Sequence, residues 1–148
     1  MGTSFSKIFW RNWLVVASAG WIIFGLCMLL LPDVMQLFFN RLFKRVLAAD
    51  LPFSPAATDY INFTYGVLGA VMVGWFTNLL LIALGSFSRG EQAGWQTIAT
   101  SIGLWFTLDT TYSLCNDYAE NALLNLLAFA MFAIPLGATY RKFYPPSE

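Results

Sequence analysis

The sequence predicts an all-α fold: an integral membrane four-helix bundle with an amphipathic interfacial helix between the first and second spans. Of the 148 residues, 58% are hydrophobic and only 11% are charged, a balance far outside that of soluble globular proteins. Crossing a hydrocarbon core about 30 Å thick takes roughly 20 apolar residues in a helix, and the chain contains four such runs. Short connections join them, so we expect a single membrane domain over residues 1–148.

The first apolar run, about residues 13–31, is expected to be retained as a span. It is longer than the apolar region of a signal peptide and has no small-x-small cleavage pattern before Pro32. Pro32 ends the run, because proline has no backbone N–H with which to continue the helix. In residues 33–49 polar side chains recur at helical spacing, which predicts an amphipathic helix at the interface. We interpret this helix as a connector, with a lid or an anionic-lipid contact as the alternative.

The second helix is predicted to begin after Ser54, a capping residue followed by Pro55, and to span about residues 57–84. Small residues at every fourth position predict a helix-packing seam on one face: Gly66, Ala70 and Gly74. Asn62 and Asn78 extend that face. We favour a partner helix within the chain, with another subunit as the alternative.

The polar residues 86–92 form a tight connection to a third span, predicted over about residues 93–114. The fourth span is predicted over about residues 120–140, and Pro135 should kink it. Five cations flank the spans on the N-terminal side, against three on the opposite side. The five are Lys7, Arg11, Arg89, Arg141 and Lys142. By the positive-inside rule, both termini are expected in the cytoplasm.

A polar pocket is predicted near one interface, around the acidic residue of the third span. Asp109 lies about 8 Å below the end of that span, and a carboxylate at this depth normally faces a protein interior or a water-filled cavity. The expected lining comes from three spans: Asp109, Asn62, Asn121, Asn125, Trp105, Tyr112 and Glu120. The interfacial helix adds three candidate lid counter-ions: Arg41, Lys44 and Arg45. We favour a structural hydrogen-bond network here over a ligand or proton site.

Composition limits the chemistry that the chain performs. The sequence has no histidine, so histidine-ligated haem, chlorophyll or metal is excluded, and the sequence indicates no other cofactor. Eight basic and eight acidic residues cancel, which argues against a nucleic-acid partner. Cys27 and Cys115 are not in a Cys-x-x-Cys motif. We interpret them as small apolar residues, with a disulfide between them as the alternative.

Our first hypothesis is a non-enzymatic accessory or assembly subunit of a larger membrane complex. Its partners would be the lipid bilayer and other membrane subunits, or further copies of the same chain. The second hypothesis is a binding or transport protein whose pocket around Asp109 takes a cationic or lipid-like ligand or a proton. A membrane enzyme comes third, because one buried acid without a base or metal partner offers little for catalysis.

Overall fold

The computed structural model describes residues 2–43 and 53–145, and within these ranges every regular element is a helix. The six helices are α1 (Gly2–Leu30), α2 (Pro32–Phe43), α3 (Pro55–Leu84), α4 (Ser86–Arg89), α5 (Gln92–Cys115) and α6 (Ala119–Phe143). The predicted all-α class is confirmed. Residues 44–49 of the predicted interfacial helix lie outside the described residues.

Three segments of the described residues are long and apolar enough to cross a membrane: Ile8–Leu30, Pro55–Arg89 and Ala119–Phe143. In the apolar stretch of each segment, only 22% to 33% is buried within the chain, so most of this surface faces outward. Such a surface suits lipid and is costly in water, which makes the fold compatible with a membrane protein. Helix α5 is long enough to span, but it is less apolar than the other three.

Local sequence signals account for two of the helix ends. The Ser54 hydroxyl accepts a hydrogen bond from the backbone N–H of Ala57 at 3.2 Å and caps the start of α3, as its position before Pro55 predicts. Pro32 lies in the first position of α2, where its missing N–H costs nothing. The break between α1 and α2 thus falls at Leu31, directly before the proline.

The chain divides into two compact units, residues 20–76 and the remainder. In the unit of residues 20–76, α1 crosses α3 at two buried glycines, Gly25 and Gly69. A Cβ atom on Gly69 would lie 2.5 Å from the Gly25 carbonyl oxygen and 2.7 Å from the Leu29 backbone nitrogen. Only glycine permits backbones to approach this closely. Beside the crossing, Phe39 of α2 stacks on Tyr65 of α3 with ring centroids 5.5 Å apart.

In the other unit, α5 and α6 form an antiparallel hairpin in continuous register. The Gln92 side chain donates to the Phe143 carbonyl at 2.8 Å near the start of α5, and the Asn125 amide donates to the Thr110 hydroxyl at 3.3 Å towards its end. The eighteen residues from Gln92 to Thr110 along α5 thus match the eighteen residues from Phe143 back to Asn125 along α6. Between these points the rings of Phe106 and Phe129 stack with centroids 4.4 Å apart. The two helices consequently lie side by side along almost their whole lengths.

Pro135 is buried inside α6, and a tryptophan of α1 compensates for its missing N–H. In a regular helix, residue 135 would donate to the carbonyl of Met131, which proline leaves unpaired. The Trp13 indole N–H donates to this carbonyl at 2.8 Å. One turn later the Thr139 hydroxyl donates to the Pro135 carbonyl at 2.7 Å. The helix therefore continues through the proline to Phe143.

Candidate functional site

The principal polar cluster lies where α5 and α6 meet at their turn. The Asn121 amide donates to Asp109 Oδ1 at 3.1 Å and to Ser113 Oγ at 2.8 Å. Ser113 Oγ in turn lies 2.7 Å from the Asp109 carbonyl oxygen and 3.2 Å from its Oδ1. One carboxylate, one hydroxyl and one amide from two helices thus form a connected network.

A tight turn brings these side chains together. Asp117 adopts a left-handed conformation with φ of 61°, which aspartate tolerates better than most residues. The Tyr118 N–H then donates to the Ser113 carbonyl at 2.8 Å, and α6 begins at Ala119. The reversal is short, so Asn121 in the first turn of α6 reaches back to the last turns of α5.

A further hydrogen bond, one helical turn away from the turn between the helices, joins α5 and α6. Asn125 is 5% exposed and donates to Thr110, which follows Asp109 in the sequence. Ser113, at 4% exposure, is the other strongly buried polar residue of the cluster. Both have hydrogen-bond partners, so the cluster meets the requirement that buried polar groups be paired.

The cluster contains a carboxylate whose hydrogen-bond donors are neutral. Among the described residues, the ion pair present is Arg89 with Glu91, and Asp109 has none. Amide and hydroxyl groups around a carboxylate form hydrogen bonds and can hold a proton or a cation. The same bonds also fasten two helices together, as expected for a structural network.

The remaining predicted residues of these two helices lie around this cluster. Trp105 is half-buried on α5, one turn before Asp109. Tyr112 is 73% exposed and contributes its backbone carbonyl, which accepts a hydrogen bond from the Asn116 side chain. Glu120 lies half-buried in the first turn of α6, where a negative charge suits the helix dipole.

Asn62 belongs to the unit of residues 20–76, where its amide donates to Asp33 Oδ1 at 2.6 Å. The Asn62 side-chain oxygen is buried and has no partner among the described residues. Arg41 of α2 is exposed beside the apolar side chains that line a shallow groove with it, Val34, Leu37, Phe38 and Leu42. The other two candidate counter-ions, Lys44 and Arg45, lie outside the described residues.

The predicted seam of α3 presents an open face. Ala70 and Gly74 are exposed, and a Cβ atom on Gly74 would meet nothing within 4 Å. A Cβ on Gly66 would approach only a Leu29 methyl group, at 3.9 Å. The close crossing instead uses Gly69, one residue before Ala70. A seam through Gly66, Ala70 and Gly74 stays a prediction for a helix outside this unit.

Sequence reasoning missed the outer face of α5. The face is mixed: Leu104 and Leu108 are exposed on it, and so are five polar residues, Gln96, Thr97, Thr100, Thr107 and Thr111. The outer face of the neighbouring α6 is apolar by contrast, with exposed Leu123, Leu126, Leu127, Met131 and Ile134. The recurrence of threonine at helical spacing was the available signal for this face. For the contact between Asp109 and Ser113, the available signal was their spacing of four residues.

The opposite end of α5 carries an exposed ion pair. Arg89 in the short helix α4 donates two hydrogen bonds to the carboxylate of Glu91. One joins Nε to Oε1, and the other joins Nη2 to Oε2 at 3.3 Å. The hydrogen bonds from Arg89 hold the pKa of Glu91 below its ordinary value. Gly90 between them is left-handed, with φ of 83°.

The fold and its three apolar helices define the class of the chain as a helical protein suited to a membrane. Comparison with protein-family models, with curated proteins and with solved structures finds no match. The functional argument therefore comes from the residues and contacts described above.

Proposed function

We propose that this chain is a four-span membrane protein that acts as a non-enzymatic accessory or assembly subunit of a larger membrane complex. Its task is to pack against other membrane helices. The observation that carries this proposal is the row of exposed polar side chains along α5, which also exposes Leu104 and Leu108, since the exposed surfaces of α1, α3 and α6 are largely apolar.

The hairpin register supports α5 as the fourth span. Helix α6 is apolar enough to cross a membrane, and α5 lies antiparallel beside it from Gln92 to the turn at Asn116. The 24 residues of α5 extend about 36 Å, enough to cross a hydrocarbon core about 30 Å thick. A helix packed along the length of a span crosses with it, so the low apolarity of α5 needs an explanation other than a position outside the bilayer.

Contact of the exposed side of α5 with another protein explains why this span is less apolar than the others. Lipid offers no hydrogen-bond partner, so polar side chains in a span normally face protein or water. Among the described residues, the Gln96 amide and the Thr100 hydroxyl have no hydrogen-bond partner. A partner helix on this face would supply one and would remove the threonines from lipid.

The orientation and the interfacial helix complete the proposal. Both termini lie in the cytoplasm, on the side with five flanking cations. Helix α2 lies in the opposite interface, where exposed Leu37 and Phe38 enter the lipid and Arg41 meets the headgroups.

Site-specific photo-cross-linking in native membranes tests this function. A photoreactive amino acid at Thr100 should give adducts with membrane protein, whereas the same group at exposed Ile134 of α6 should react mainly with lipid. Equal protein adducts at both positions, or none at Thr100, would refute the proposal. Cysteine labelling tests the topology: in a background of Cys27→Ser and Cys115→Ser, Gly90→Cys and Asp117→Cys should react with impermeant thiol reagents from opposite sides of the membrane.

A second candidate function is cation or proton binding at Asp109, in a binding or transport protein. It is favoured by the neutral donor set of that carboxylate. Binding of tetraphenylphosphonium, a lipophilic cation, should be lost in Asp109→Asn, while Glu120→Gln should retain it. Equal binding by Asp109→Asn and the unaltered protein would remove this candidate.

A further inference from the structure

We infer that the exposed side of α2 binds a phospholipid whose headgroup carries a net negative charge. This site rests on the proposed function, which places α2 in the membrane interface. It goes further by assigning the class of ligand and the residue that selects it, Arg41.

Contacts at both ends of α2 determine which side of the helix is exposed. Near its start, Asp33 Oδ1 accepts the hydrogen bond from the Asn62 amide of α3 at 2.6 Å. Towards its end, the ring of Phe39 stacks on that of Tyr65 with centroids 5.5 Å apart. Met35, one turn before Phe39, is buried. Because both ends are held against α3, the helix cannot turn its opposite side inward.

The exposed side of α2 is a shallow, mainly apolar groove of about 400 Å³. Its lining consists of Val34, Leu37, Phe38, Arg41 and Leu42. The first three of these are 45% to 57% exposed. With 12 residues, α2 extends about 18 Å, which is too short to cross a hydrocarbon core about 30 Å thick. An exposed apolar side on a helix that cannot span is typical of a helix in the membrane interface.

The groove suits an acyl chain better than a protein partner. A stable protein interface buries about 800 Å² on each partner, and five partly exposed side chains on one short helix do not provide such an area. One acyl chain needs only a strip of apolar side chains. Val34, Phe38 and Leu42 supply it, because residues four apart lie above one another on a helix.

Arg41 gives the groove its charge. It is exposed, and no carboxylate of the described residues forms an ion pair with it. Asp33 lies about 12 Å away along the helix, beyond the roughly 8 Å over which physiological salt screens charges. In the sequence, three cations and no acid lie between Asp33 and Asp50. A guanidinium matches the geometry of phosphate oxygens, so an anionic phospholipid complements both the cation and the apolar strip.

Fluorescence quenching by brominated lipids in liposomes tests this site. In a background of Cys27→Ser and Cys115→Ser, a bimane label on Val34→Cys reports the lipid at the groove. Brominated phosphatidylglycerol should quench it more than brominated phosphatidylcholine at the same mole fraction. Arg41→Gln should lower the preference for phosphatidylglycerol about fivefold, the contribution of one cation near a membrane surface. Arg41→Lys keeps the charge and should retain most of the preference.

Two controls locate the effect. Arg141→Gln removes an exposed cation at the end of α6 and should leave the preference at the groove unchanged. A label on Leu127→Cys of α6, which is 59% exposed against 57% for Val34, should be quenched equally by the two lipids. An unaltered preference in Arg41→Gln, or the same preference at both labels, would overturn the inference.

The outcomes separate this inference from the proposed function. Equal quenching by the two lipids at Val34 would reject the anionic lipid but retain α2 in the interface. Quenching by neither lipid would reject both the lipid site and that placement of α2. A photoreactive amino acid at Leu37 that forms adducts with a membrane protein instead of lipid would reject the lipid site and retain the accessory role.

Discussion

The hydrogen bond between Trp13 and Met131 should depend on Pro135. Proline at position 135 leaves the Met131 carbonyl without its usual donor, and the Trp13 indole replaces it at 2.8 Å. Trp13→Phe keeps most of the aromatic ring but removes the N–H. In Pro135→Ala, the new backbone N–H can bond to Met131, so the indole is no longer needed.

The magnitude follows from hydrogen bonds between membrane helices, which contribute about 0.6 kcal/mol on average and up to about 1.7 kcal/mol. A carbonyl left unpaired away from water adds to this cost, to about 1–3 kcal/mol in all. Trp13 is 39% exposed, so we expect Trp13→Phe to lose about 1 kcal/mol of unfolding free energy. In the Pro135→Ala background the same substitution should lose much less.

A double-mutant cycle measures this coupling, with reversible unfolding in mixed detergent micelles as the assay. Trp95→Phe is the matched control, because its indole donates to the Leu136 carbonyl, which also receives the Thr139 hydroxyl. Trp95→Phe should cost the same with or without Pro135. A coupling energy near zero between Trp13 and Pro135 would refute the reasoning.

Three further outcomes are expected. Gly69→Val should destabilise the protein by about 3 kcal/mol or more, because the new Cβ atom would meet backbone atoms. Gly74→Val, the control, should change the stability by less than about 0.5 kcal/mol. Reversible unfolding in micelles compares the two variants. Asn121→Leu should cost about 1–3 kcal/mol in the same assay, since Asp109 loses a donor, and an unchanged stability would contradict the network. Arg89→Gln should raise the pKa of Glu91 towards its ordinary value, as followed by its carboxyl carbon resonance. Because the folded pKa of Glu91 is depressed, the pair stabilises the protein above the ordinary glutamate pKa, and this stabilisation is lost as the pH falls through the depressed value.

The candidate site was predictable in part, and its hairpin shows why. Asp109 and Asn121 lie twelve residues apart with a turn signal between them, so local sequence brings them together. Thr110 was missed as the partner of Asn125, because that pairing depends on the rotation of each helix about its axis. The exposure of the α5 threonines was missed for the same reason.

The sequence by itself determined the helical class, the start of α3 at Ser54 and Pro55, and the suitability of the chain for a membrane. These features depend on composition, apolar length and local capping, which act within a few turns of chain. The tertiary structure decided which faces meet. One residue turns a helix by 100°, so the crossing at Gly25 and Gly69, rather than at Gly66 or Ala70, required the packed helices. The pairing of Trp13 with the carbonyl freed by Pro135 joins residues 118 positions apart, and only the fold brings them into contact.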